Sequence, residues 1–269
     1  ADSLLRVAKQ GASLDQAMFD KPASRRSFVR GVLVTATALS LPVARAAAKA
    51  ANPPKHIVLL GDSIFANGAY VGDGPDVIEQ LNRRLPAGAR ATLNAMDGSV
   101  ASAVRLQLQI APEDATHFVV SAGGNDALHQ AGLLEEKASS VAEALNKLAA
   151  VRENFEQDYR AMLDDVTARG LPVAVCTVYD PRFPDAKQRR IAAIGLSVFN
   201  DTITREASAR GLALIDLRLI CTEDADLANP IEPSVIGGAK IAGAIAAFAA
   251  DYDFSKGRCE VFTSSGAKT

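Results

Sequence analysis

Short apolar runs alternate along this chain with longer segments whose apolar residues recur at helical spacing. The runs are "HIVLL" (56–60), "ATLNAM" (91–96), "HFVVSAG" (117–123), "PVAVCTVYD" (172–180) and "LALIDL" (212–217). Between and after them, residues 76–85, 99–110, 139–170, 189–211 and 237–252 carry the helical pattern, and two of these segments end on a glycine, Gly170 and Gly211. The strand candidates are continuous apolar runs, not in/out alternators. That pattern predicts about five parallel strands covered on both faces. Right-handed crossovers then make a three-layer α/β/α sandwich. In such a sheet a ligand binds beyond the carboxyl ends of the strands. All five predicted exits are glycine-rich, polar or charged: "GDSIFANG", "DGS", "GGNDALH", "YDPRFPDAKQRR" and "CTEDADLANPIEPS".

The N-terminal part follows another pattern. "SRRSFVRG" (24–31) precedes the apolar stretch "VLVTATALSLPV" and then Ala44-Arg45-Ala46. Paired arginines Arg25 and Arg26, a short apolar region and small residues at a cleavage position describe an export signal of the twin-arginine type. The apolar stretch is shorter than the roughly 20 residues of a membrane-spanning helix. The expected organisation is a leader over 1–46, the α/β/α domain over 47–254 and a tail over 255–269. The expected partners are the twin-arginine export machinery and a small substrate, and the expected location is periplasmic or secreted, with no stable membrane span.

Composition narrows the chemistry. The 269 residues are 48% hydrophobic and carry a formal net charge of -2, enough for one sizeable core and too little positive charge for a nucleic-acid partner. The three cysteines fit no metal spacing. Cys176 lies in an apolar run and reads as core. Cys221 and Cys259 are either a disulfide of an oxidising compartment or free thiols. No phosphate loop or dinucleotide fingerprint occurs, and "GDGP" near Asp73 reads as a turn, so neither a cofactor nor a metal is expected.

Three exits carry candidate chemistry. Ser63 follows the first strand in a Gly-Asp-Ser turn, where its hydroxyl and N–H can both face a cleft; alternatively it caps a helix. Asn125 follows the third strand through two glycines, and its amide NH2 is a suitable oxyanion donor; alternatively it makes an Asx turn, with Asp126 as a helix cap. Gly98 offers a backbone N–H or simply makes a turn. Together "GDSI", "NAMDGS" and "GGND", in this order and at strand exits, resemble the GDSL/SGNH family of serine hydrolases, from Lys55 to Tyr252. The resemblance implies a flavodoxin-like fold and hydrolysis of a lipid, glycan or small-molecule ester through an acyl-serine. It assigns Ser63 as nucleophile and the Ser63 N–H, Gly98 N–H and Asn125 side chain as oxyanion hole.

The family's last block, Asp-x-x-His-Pro, is altered. Here it reads Asn229-Pro230-Ile231-Glu232-Pro233, so the orienting acid and the general base are both replaced. Of the three histidines, His56 and His117 begin strands, and a five-residue strand spans roughly 17 Å, out of reach of Ser63. His129 lies on the active side. The order of candidates for the base is Glu232, then His129, then none; in the last case the chain is a binding protein for acylated glycans or lipids on an esterase-like fold. At the fourth exit, Arg182 is a candidate for binding an anionic substrate, with Asp180 orienting it, or a member of a salt-bridged loop.

Overall fold

The computed structural model describes residues 54–263; the expected leader and its Arg25–Arg26 pair lie outside them. Six strands form one all-parallel sheet: β1 His56–Gly61, β2 Arg90–Leu93, β3 His117–Ser121, β4 Val173–Cys176, β5 Ala213–Ile215 and β6 Val261–Phe262. Their order is β2-β1-β3-β4-β5-β6. Seven helices accompany them: α1 Val77–Arg84, α2 Val104–Gln109, α3 Gly124–His129, α4 Val141–Thr167, α5 Ala186–Ala209, α6 Leu217–Ile220 and α7 Val235–Asp251.

The continuous apolar strands have the reason inferred from sequence. Along β1, Ile57 and Leu59 face one core with Val77, Leu81, Ile241, Ile245 and Phe248 from α1 and α7. Val58 and Leu60 face the other, with Phe155, Tyr159 and Leu163 from α4 and Phe199 and Ile203 from α5. Every residue of β1 is buried, so successive side chains enter opposite layers.

The sheet therefore has the expected three layers, with one strand more than the pattern suggested. The sixth comes from the segment read as a tail: Leu214 pairs with Val261 and Ile215 with Phe262. Two residues carry no readable periodicity, and only the exposed edge of β5 specifies them. The cysteine pair is also resolved. Cys221 sits in the α1/α7 core and Cys259 packs against the α4/α5 core, and both are free thiols. They lie on opposite faces of the sheet, which rules out the disulfide.

The strand order places the site. The chain leaves β1 toward β2, then crosses over β1 to add β3 on its other side. This reversal opens a crevice at the carboxyl ends of β1 and β3, where Ser63 and Asn125 follow their strands. Among the described residues no helix is long and apolar enough to cross a membrane.

Candidate active site

Two backbone features shape the crevice. Gly61 ends β1 at φ 118°, and a Cβ there would lie 1.7 Å from the Ser121 carbonyl oxygen of β3. Only glycine allows the two strands to stay this close before the chain turns. Gly123 repeats the device after β3, at φ 123° against Phe155, Ile203 and Val178. Gln107 then clamps the β1 exit, accepting from the Gly61 N–H at 2.6 Å and donating to its carbonyl at 2.8 Å.

Asp62 and Ser63 occupy the turn. Asp62 is buried; its Oδ1 accepts from the Ser121 hydroxyl (2.9 Å) and the Ile64 N–H (3.2 Å). Burial pushes its carboxyl up to about 7; those two hydrogen bonds pull it down, and the carboxylates of Glu232 and Asp126 raise it further. The folded protein thus holds this proton more tightly than the unfolded chain does. The associated stability is complete below the unfolded pKa of about 4 and is lost as the pH rises through about 7. Asp62→Asn, which cannot ionise, is expected to be more stable than the parent at pH 8 by up to about 4 kcal/mol and to differ little at pH 4. Urea unfolding at the two pH values measures this; an equal difference at both would remove the ionisation as its cause.

Ser63 is 6% exposed, and its Oγ donates to Glu232 Oε1 at 3.2 Å. Glu232, also 6% exposed, keeps its second oxygen, Oε2, buried without a hydrogen-bond partner. Burial raises the Glu232 carboxyl above its ordinary range; the Ser63 hydroxyl opposes this and the Asp97 carboxylate adds to it. The Asn229–Pro233 loop is thus folded so that its glutamate meets the serine.

A dense set of backbone contacts holds that glutamate. Asn229 Oδ1 accepts from the N–H groups of Ile231 and Glu232, both at 2.9 Å. It makes a local turn of the kind favoured by asparagine. The Tyr179 hydroxyl donates to the Ile231 carbonyl at 2.7 Å, and Asn67, fully buried, donates to the Pro233 carbonyl at 3.1 Å. Ser234 then caps α7 by accepting from the Ile236 and Gly237 N–H groups. Beneath the loop, buried Asp226 pairs with Lys240 at 2.7 Å.

Asn125 lines the same cleft and donates one amide N–H to the Ser99 carbonyl at 3.0 Å. An asparagine amide has two N–H groups, so the second is free for a ligand. Among the described residues the N–H of Ser63 also makes no hydrogen bond to the protein. The neighbour of Asn125, Asp126, accepts from the Ala101 N–H; it tethers the segment before α2 instead of capping α3, whose N-cap is Gly123.

The cleft has a volume of about 610 Å³, and Asp62, Ser63, Asn125 and Glu232 all line it. Three other candidates do not. Gly98 lies on an exposed turn at φ 75°, next to the Ser99 carbonyl that Asn125 holds. His129 is exposed at the end of α3 and borders a separate, smaller cavity. Arg182 bonds the Thr222 carbonyl, lies 3.5 Å from Asp224, and donates its own N–H to the Pro230 carbonyl; it is a strut of the salt-bridged loop, and no substrate-binding role follows for it. His56 is buried between Asp114 and Thr92, and His117 packs edge-on against Phe248, both at the amino ends of their strands. Burial, with help from the Lys55 charge, lowers the His117 pKa to about 4.

The sequence reading missed the supporting roles of Asp62, Tyr179 and Asn229. Asp62 is in view inside Gly-Asp-Ser, and Asn229 stands three residues before Glu232. Its spacing to Ile231 and Glu232 is the signal for an Asx turn that was available.

Sequence comparison matches residues 59–235 to the GDSL-like Lipase/Acylhydrolase family. The chain belongs to this family. No curated protein matches it in sequence at a significant level. Solved structures of similar fold include an extracellular lipase from Streptomyces rimosus, at 19% identity and TM-score 0.50 over 69% of this chain and 95% of that one. They also include the acetyl xylan esterase AlAXEase, at 16% identity and TM-score 0.52, with 73% and 100% covered. A further one, a GDSL-like lipase by its description, from Parabacteroides merdae, has 14% identity and TM-score 0.54, with 70% and 92% covered. At these identities the likeness is one of fold. As a GDSL-family chain with this α/β/α sheet, the protein has a scaffold suited to ester hydrolysis.

Proposed function

We propose that this GDSL-family protein is an exported serine esterase whose general base is a glutamate. The observation that carries the reading is the buried contact of Ser63 Oγ with Glu232 Oε1 at 3.2 Å. A carboxylate is a poor base when solvated, because its pKa lies far below neutral. Burial, with the Asp97 carboxylate adding to it, raises the Glu232 pKa toward the working range.

In acylation, Glu232 takes the Ser63 proton as Oγ attacks the ester carbonyl carbon. The developing oxyanion is met by the Ser63 N–H and the free amide N–H of Asn125; Gly98, outside the cleft lining, supports it only through the neighbouring Ser99 carbonyl that holds Asn125. Collapse breaks the bond to the alcohol oxygen, which leaves with the proton from Glu232. Water then attacks the acyl-serine, Glu232 takes its proton, and Ser63 recovers that proton as the acid departs. Asn229 does not relay charge; its side chain keeps the Glu232 loop in register.

Labelling by a fluorophosphonate probe tests the reading. The protein is expected to be labelled, and Ser63→Ala not. Absence of label on the folded parent protein would instead favour a binding protein on this fold. Asn125→Ala is expected to lower kcat roughly 10²–10³-fold with little change in KM, because the donor acts chiefly as charge develops on oxygen. A near-normal kcat in a folded variant would remove Asn125 from the mechanism. The export reading rests on the Arg25–Arg26 segment. Replacing both arginines by lysine is expected to retain the protein in the cytoplasm, and fractionation showing normal export would overturn that assignment.

A further inference from the structure

The cleft extends well past the catalytic groups, and one helix supplies a wall of it. Gln188, Ile191, Ala192, Gly195, Leu196 and Phe199 of α5 all face it. They stand at positions i, i+3, i+4, i+7, i+8 and i+11, so they form a single stripe along the helix. The stripe runs roughly 16 Å at 1.5 Å per residue. Its middle is small: Ala192 and Gly195 leave a trough, and a Cβ at Gly195 would meet no atom within 4 Å. Across the trough stand Leu128 of α3 and Leu134 of the 3-10 turn Ala131–Glu135. Ile191, Leu128 and Leu134 are 39%, 42% and 53% exposed. Large apolar side chains left open around one concave surface mark a ligand groove.

The groove is continuous with the nucleophile, since Ser63 and Glu232 line the same cavity. The polar lining contributed by this helix, Lys187 and Gln188 beside the capping Asp185, is confined to its first turn. A sugar would need a hydrogen-bond partner for each hydroxyl it buries, and the wall from Ile191 to Phe199 supplies no polar side chain. We infer that the trough over Ala192 and Gly195 is the acyl-chain site, and that the substrate is an ester of a medium- or long-chain fatty acid. A chain of about a dozen carbons matches the length of the stripe. This rests on the esterase reading above and adds the class of acyl group.

The test uses the intact protein and p-nitrophenyl esters from acetate to dodecanoate, with a parallel series of acetate esters of alkyl alcohols. On the acyl series kcat/KM is expected to rise by up to about fourfold per added methylene, the transfer preference of one buried CH2 group, until the trough is filled. Gly195→Leu places a side chain in open space on a helix that favours leucine over glycine, so the fold is retained. This variant is expected to lower the dodecanoate-to-acetate ratio at least tenfold. A profile that peaks at acetate, an unchanged ratio, or a rise only on the alkyl-alcohol series would overturn the acyl site while leaving the esterase reading intact. Calorimetry of dodecanoate on Ser63→Ala separates the two further. Dodecanoate that binds, at least tenfold more weakly once Gly195→Leu is added, supports the acyl site even if no ester is hydrolysed. Absence of binding overturns it.

Discussion

Glu232→Gln is expected to lower kcat roughly 10²–10⁴-fold, the range that general-base catalysis contributes. Glutamine keeps the length and shape of the side chain but cannot accept the Ser63 proton at neutral pH. The loop does not depend on the carboxyl group: Asn229, Tyr179 and Asn67 hold it through backbone atoms. Unfolding therefore cannot explain the loss, and an unchanged melting temperature would show this. Glu232 Oε2 has no partner to lose, so the amide replaces a costly buried charge with a neutral group.

The pH profile of the parent protein supplies the second half of this test. A base works when deprotonated, so kcat/KM should fall as pH falls through the Glu232 pKa. That pKa is raised by burial, so the limb should stand above the ordinary glutamate value. His129 is exposed and outside the cleft, and His129→Ala should leave both rate and profile unchanged. An active Glu232→Gln with a dead His129→Ala would overturn the assignment.

Gly61→Ala is expected to cost more than about 4 kcal/mol of stability, or to prevent folding altogether, placing it among the exceptional substitutions. The new Cβ would stand 1.7 Å from the Ser121 carbonyl oxygen, a backbone atom of the neighbouring strand. It would also stand at φ 118°, a conformation that alanine strongly resists. Neither strain has a local remedy, because β1 and β3 are paired from Ile57↔His117 to Gly61↔Ser121. Gly195→Ala is the matching control, since its Cβ enters open space; it should be neutral or slightly stabilising. Thermal unfolding of the two variants gives the comparison, and equal melting temperatures would refute the close-approach account of Gly61.

Most of the α/β/α fold was legible because its signals are local and repeated. Strands buried on two faces must be apolar throughout, and β1 shows that in "HIVLL". Helices against them must carry an apolar stripe, and α1, α4 and α5 do. Three short elements escaped, one of them the single turn of α6 after β5. Helix α3 begins inside "GGNDALH", where two glycines argue for a turn, and it forms because Asp126 is anchored to the Ala101 N–H. Strand β6 has two residues and exists only because β5 offers an unpaired edge.

The candidate site divides in the same way. The sequence by itself determined that Ser63 and Asn125 stand at strand exits and that His56 and His117 lie at the far end of the sheet. These follow from order along the chain, because a parallel sheet sends all its carboxyl ends to one side. Only the tertiary structure decided that Glu232 meets Ser63, 169 residues apart in sequence, while Gly98, His129 and Arg182 stand outside the cleft lining. Position at a strand exit brings a residue to the right edge of the sheet, within several ångströms. Contact requires the loop to be aimed: Asn229 shapes it through a local turn, and Tyr179 and Asn67 aim it through hydrogen bonds to backbone atoms far away in sequence, whose positions no local pattern encodes.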